Sequence, residues 1–209
     1  MRFAIACLML SATVPGSAAA TRWSVIAGGG VGFPASSSSF QEGLSAGPHA
    51  TAGVICRLTP LLSLVGRGSY SHYPRDDEGT LLVAGIDKHP LRILDMTGGT
   101  MDVWEGSIDL RFYPTQAGSS VRPYVAGAAG VATHRYEGVE IAYAYAGHTW
   151  PATIPADDGT EASIAAGAGV SFATGSRLVL DVEARLQVLW RQDSALWSVP
   201  LWLEVSLGW

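Results

Sequence analysis

The chain has 209 residues, 15% of them charged, with a formal net charge of −5. That balance argues against a nucleic-acid partner, which calls for a basic face. Its cysteines are Cys7, inside an apolar N-terminal stretch, and Cys56; once that stretch is removed no internal disulfide is possible, so an exported domain must be held together another way, barrel closure being one.

Residues 1–20 read as a secretory signal peptide. Arg2 supplies the positive start, residues 3–14 the apolar core, and Ser17-Ala18-Ala19-Ala20 the small residues for cleavage. Residues 21–209 are then one domain. The first strand is expected at 23–33, with Trp23, Val25, Val31 and Phe33 alternating against Ser24, Gly28, Gly30 and Gly32. Residues 34–46 are a polar loop. A second strand at 47–58 sets Ala50, Ala52, Val54 and Cys56 against His49, Thr51 and Arg57, and Thr59-Pro60 turns it into a third at 61–73. There Leu62, Leu64 and Tyr70 oppose Ser63, Arg67, Ser69 and Ser71, although Leu61, Val65 and Tyr73 share the polar phase.

Residues 74–100 form a long connection with apolar runs at 81–86 and 91–96. It is expected to hold a small extra hairpin or to extend the flanking strands, a short helix being the minor alternative. The fourth strand, 101–113, alternates Trp104, Ile108, Leu110 and Phe112 with Glu105, Ser107, Asp109 and Arg111. The fifth, 121–133, has small or apolar residues in both phases, so its facing is ambiguous. Residues 134–160 form a second long loop, and 161–173 a sixth strand. The last two strands, 177–190 and 199–209, are the clearest: Leu180, Val182, Leu186, Leu201, Leu203 and Val205 against Asp181, Glu183, Arg185, Trp202 and Glu204.

The count is eight, an even number. Most of the segments exceed the roughly 9–11 residues a tilted membrane strand needs. The connections 59–60, 114–120 and 174–176 are short, whereas 34–46, 74–100, 134–160 and 191–198 are longer. Short turns on one rim and longer loops on the other are the asymmetry of a bacterial outer-membrane barrel. The expected fold is therefore all-β: an eight-stranded antiparallel up-and-down transmembrane β-barrel with short periplasmic turns and longer extracellular loops. Trp23, Phe112, Tyr124, Phe172 and Trp209 fall at the short-turn ends. Phe33, Tyr70, Trp104, Tyr136, Trp190 and Trp197 fall near the long-loop ends, giving two belts for two membrane interfaces. Arg57, Arg67, Glu105, Asp109, Arg111, Asp181, Glu183, Arg185 and Glu204 would then line the lumen as a paired charge network. Trp202 would help to fill it.

The first-strand GGGVGF, RPYVAGAAGVA at 122–132, ASIAAGAGVSF at 162–172 and the terminal LWLEVSLGW resemble the small eight-stranded outer-membrane barrel family that contains the OmpA transmembrane domain and the OmpX-like proteins. The resemblance implies bacterial outer-membrane localisation and an assembly-signal role for Trp209. It says little about activity, because the family includes structural, adhesive and enzymatic members.

His49, His72, His89, His134 and His148 form no HExxH and no close pair, and they read as loop or rim histidines. Ser71 beside His72 resembles the lipid A deacylases in outline, but no His-x-Ser is present. Asp76-Asp77-Glu78 and Asp157-Asp158 lack calcium-loop spacing and read as a solvated acidic rim. No catalytic, cofactor-binding or metal residues are assigned, and no cofactor is expected. The expected partners are outer-membrane lipid and lipopolysaccharide, the barrel assembly machinery, and an extracellular ligand at loops 34–46, 74–100 and 134–160; a monomer is expected. The function expected is that of a non-enzymatic envelope or surface-interaction barrel with a plugged lumen. The alternatives are a lipid-active barrel enzyme, a narrow pore, and a soluble exported ligand-binding barrel.

Overall fold

The computed structural model describes residues 22–35, 42–86, 92–115, 119–145, 148–174, 178–190 and 195–208. The expected signal peptide, His89 and Trp209 lie outside the described residues. In chain order the elements are β1 (Arg22–Pro34), β2 (Gly47–Arg57), β3 (Leu62–Tyr73), α1 (Asp77–Val83), β4 (Arg92–Gly98), β5 (Met101–Phe112), β6 (Val121–Tyr136), β7 (Val139–Tyr145), β8 (His148–Ile154), β9 (Asp157–Ala173), β10 (Leu178–Trp190) and β11 (Ala195–Gly208).

Eight strands close into a barrel in the order β1-β11-β10-β9-β6-β5-β3-β2, and β2 pairs antiparallel with β1 to complete the ring. Every barrel neighbour pairs antiparallel. Closure leaves no free sheet edge, which is the condition for a strand-built membrane span. The expected strands are all present.

Side-chain parity decides inside from outside. On β5, Ile108 is 63% exposed while its neighbour Asp109 is 0%. On β10, Val182 is 41% exposed and Glu183 0%. The large apolar side chains therefore face out and the ionised ones face in, the reverse of a water-soluble barrel. The same parity settles β6: Val125 and Val131 point out, while Tyr124 and Ala126 point in.

Above the barrel the structure departs from expectation. Residues 74–100 hold both α1 and β4, so the minor helical alternative is present beside a strand. Asp76 caps the helix by accepting from the Glu78 amide, with Asp77 and Glu78 in its first turn. Asp76-Asp77-Glu78 is thus a helix start rather than only a solvated rim. Residues 134–160 are not a loop either. β6 runs on to Tyr136, β9 begins at Asp157, and between them β7 and β8 form a hairpin that joins β4 in a three-stranded sheet. Leu81, Ile86, Val139 and Ile141 from this module pack with Tyr73, Met101, Val103, Tyr136, Leu189 and Leu196 at the barrel mouth, in one apolar cluster.

Candidate functional site

The lumen is built by a division of labour between strands. β3, β5, β10 and β11 project large ionised groups inward, and the glycines of β1 and β9 give them room. A Cβ on Gly28 would lie 2.8 Å from Glu204 Cγ, one on Gly167 2.6 Å from Arg185 Cγ, and one on Gly169 2.5 Å from Tyr124 Cζ. The glycine- and alanine-rich strands are therefore the counter-shape of the plug.

Seven of the nine expected lumen charges come together. Arg111 Nη2 donates to Glu183 Oε2 at 2.7 Å and to Glu204 Oε2 at 2.6 Å, and its Nη1 lies 3.5 Å from Asp181 Oδ2. Arg67 reaches Asp109 at 3.3 Å and Glu204 at 3.1 Å. Arg185 donates to both Asp109 and Glu183. Ser107 donates to Asp109, Ser171 to Asp181, and Tyr124 to Glu183. Glu183, Glu204, Asp109 and Arg111 are all 0% exposed. Dense pairing of this kind offsets the cost of stripping water from ions.

The other two expected members lie outside the plug. Glu105 accepts from Ser69 and Ser163 instead of an arginine, and Arg57, half-buried at the last residue of β2, makes no ion pair among the described residues. One cation was missed: Arg122 is 8% exposed, donates to the Pro60 carbonyl at 2.6 Å and sits 4.4 Å over Tyr113. Tyr113 packs 5.3 Å from Tyr124, which lies 4.7 Å under Arg111. Arg122, Tyr113, Tyr124 and Arg111 thus form one alternating stack from the short-turn rim to the plug. Its only advance signal was that Arg122 and Tyr124 share a phase.

Two aromatics assigned to the membrane belts are corrected accordingly. Tyr124, 2% exposed, belongs to the lumen, and Tyr136, 5% exposed, to the apolar cluster at the mouth. Trp23, Phe33, Trp104, Phe112, Trp190 and Trp197 do face outward. Trp202, 3% exposed, fills the lumen above the plug, with Arg67 at 5.0 Å and Arg185 at 5.1 Å from its ring.

The rim reading of the histidines holds for only part of the set. His49 is buried in the lumen, 5.1 Å from Trp202, and bonds Ser71 Oγ at 2.8 Å. Ser71 therefore pairs with His49 and not with His72, because successive strand residues face opposite sides. His72 points outward and bonds Asp102 Oδ1 at 2.8 Å, where Tyr70 also donates at 2.7 Å. His134, 0% exposed, is held between Glu161 at 2.9 Å and Asp157 at 3.2 Å. His148 is exposed on β8. Among the described residues no three His, Cys, Asp or Glu side chains are arranged to hold a metal ion.

Asp102 and Tyr136 lie at the cap ends of β5 and β6, on the far side of Trp104 from the plug. Partial burial alone would raise the Asp102 carboxyl, but the bonds from Tyr70 and His72 and the charges of His72 and Arg135 prevail and hold it below its ordinary range. Burial pushes the Tyr136 phenol up.

No protein-family model matches the chain, and no curated protein matches it significantly. Among solved structures, it is similar to neisserial surface protein A, at 14% identity and a TM-score of 0.55, over 90% of this chain and 97% of that one. It is also similar to the N-terminal β-barrel domain of Pseudomonas aeruginosa OprF (17% identity, TM-score 0.44, 90% and 97% covered). A major outer membrane protein of Thermus thermophilus matches at 11% identity and a TM-score of 0.47, over 91% and 100%. With its apolar wall outside, its ionised residues inside and its eight closed strands, the chain has the fold of the small outer-membrane barrels.

Proposed function

We propose that this protein is a non-enzymatic outer-membrane barrel whose working surface is the extracellular cap built from α1, β4, β7 and β8, serving envelope structure or surface interaction. The observation that carries the reading is the sealed interior. The apolar cluster closes the mouth, the ion network fills the middle, and the Arg122–Tyr113–Tyr124–Arg111 stack fills the lower end. Eight strands leave room for little else. The Ser–His pair seen among the described residues, Ser71 with His49, lies inside this seal, away from lipid, which speaks against the hydrolase alternative. The cap meanwhile presents Leu82 at 71%, Trp150 at 51% and Leu94 at 48% exposure, apolar positions suited to contact with another surface.

The test replaces the hairpin 139–154 by a short turn. The barrel should still show heat-modifiable gel mobility, while the envelope-integrity or surface-binding phenotype is lost. In a Cys56→Ala background, Thr149→Cys should react with an impermeant maleimide on intact cells. Release of fatty acid from outer-membrane lipid by the purified wild type would overturn the non-enzymatic reading.

A further inference from the structure

We propose that the short-turn mouth of the lumen is a binding site for one phosphate group, held between Arg57 and Arg122 with the Ser63 hydroxyl beside them. The site belongs to the lower seal and is separate from the cap. It rests on the membrane reading only for the compartment that this mouth faces, the periplasm.

Register brings these residues to one corner. Arg57 and Ser63 are cross-strand partners on β2 and β3, on either side of the turn that joins the two strands. Arg122 comes from β6, which β5 separates from β3. It reaches past the end of β5 to the Pro60 carbonyl in that same turn, at 2.6 Å. Its guanidinium lies 4.4 Å over Tyr113, and close enough to Arg57 for the two positive charges to repel.

No acid answers that pair. Among the described residues neither arginine has a carboxylate partner, and no carboxylate is among the charges that act on Arg122. Asp109, Asp181, Glu183 and Glu204 already serve Arg67, Arg111 and Arg185 in the network above. Glu105 lies on the cap side of Asp109 along β5 and is bonded by Ser69 and Ser163. The inward charges thus balance in number but not in place. Arg122 is only 8% exposed, and a cation so far withdrawn from water is costly without a counter-charge.

Hydrogen bonding points the same way. On this side of the network Ser63 Oγ, Arg122 Nε, Arg111 Nε and Thr115 Oγ1 are buried without a hydrogen-bond partner among the described residues. Ser63 is 1% exposed and faces Arg111 across β3 and β5. Each of these atoms can donate, and the guanidinium nitrogens can do nothing else. Buried polar groups are normally satisfied, so a surplus of donors beside two like charges calls for an acceptor that is negative. A carboxylate offers one charge and one planar edge, which a single arginine fork satisfies. Two guanidiniums from different strands, with a hydroxyl beside them, suit a tetrahedral group instead. A phosphate monoester carries about −1.5 to −2 at neutral pH and three acceptor oxygens. Arg57 is half-buried, so solvent reaches the corner from the short-turn rim, while the ion network above bars further passage. The occupant is therefore a periplasmic solute, inorganic phosphate or a small phosphate monoester, and it is held rather than passed.

The experiment is isothermal titration calorimetry of the purified barrel in nonionic detergent and phosphate-free buffer. Inorganic phosphate, glycerol phosphate and acetate are the titrants. The wild type should bind one phosphate group, with acetate far weaker; the tighter of the two phosphates identifies the source. Arg57→Gln should weaken phosphate about tenfold and Ser63→Ala severalfold, the loss of a charged and of a neutral donor. Arg57 has no bond within the described fold, so its variant should keep heat-modifiable mobility and carries the test even where Arg122→Gln, which also breaks the stack on Tyr113, fails to fold. Arg135→Gln removes a cation at the cap end of β6 and should bind as the wild type does. The proposal is overturned by absence of phosphate binding to the wild type, by acetate binding as tightly, by unchanged affinity in Arg57→Gln, or by an equal loss in Arg135→Gln.

Discussion

Arg111 bridges Glu183, Glu204 and Asp181 while lying over Tyr124. Removing one partner of a buried ion network leaves charges uncompensated and costs about 3–5 kcal/mol. Arg111→Ala should therefore lower the urea midpoint of the vesicle-inserted barrel by that equivalent, with a surface control such as Glu140→Ala near zero. Asp102 gives a pH-dependent case. Its carboxyl is held below the ordinary range, so its stabilisation is complete above the unfolded value of about 3.9 and is lost as pH falls through the lowered one. The stability difference between wild type and Asp102→Asn should stay flat from neutral pH to the ordinary carboxylate range and vanish below it. Partial exposure limits it to under about 1 kcal/mol. Strict alternation made Arg111 and Glu183 legible as inward groups from sequence. The same rule misses Tyr124 and Arg122, because β6 has no bulky apolar phase to mark the outside, and partners such as His49 with Ser71 arise from register between strands, which no single segment encodes.

At the scale of elements, two kinds of strand glycine make opposite predictions. Gly30→Ala pushes a methyl into the Leu201 carbonyl, whereas Gly106→Ala meets open space. The first should slow barrel folding into vesicles and lower the denaturant midpoint, and the second should be neutral or mildly stabilising. The cap has its own glycine. Gly98 ends β4 at φ +77°, and a Cβ there would lie 2.0 Å from the Gly138 carbonyl. Gly98→Ala should loosen β4 from β7, seen as faster proteolysis within 139–154 with the barrel core still resistant. The cap was only partly legible. α1 has seven residues, too few for helical periodicity, although Asp76 followed by acidic residues and an apolar run is a readable helix start. Val139, Ile141 and Tyr143 do alternate with Glu140 and Ala142, but Gly138 interrupts the phase of β6, so the segment reads as loop.

For the whole molecule, the missing Arg122 changes the electrostatic account. Its side chain joins Arg57, Arg67, Arg111 and Arg185 inside, against Glu105, Asp109, Asp181, Glu183 and Glu204. The inward strand charges of this set balance at five and five, so within it each buried ion can be offset by one of opposite sign. The eight-strand count and sorted loops made the barrel legible at once, since both follow from spacing alone; the sealed interior was not, because it depends on which small residues face which large ones. Three successive seals also predict an order of failure. In planar bilayers the wild type should show no unitary conductance. Replacing 139–154 by a short turn removes the upper seal but leaves the ion network and the Arg–Tyr stack, so the barrel should stay closed. Adding Tyr124→Ala to that variant removes the ring between Tyr113 and Arg111 and the hydroxyl on Glu183, and brief conducting events should then appear. Steady conductance on loss of the hairpin alone would place the barrier in the cap and show that the ion network does not close the lumen.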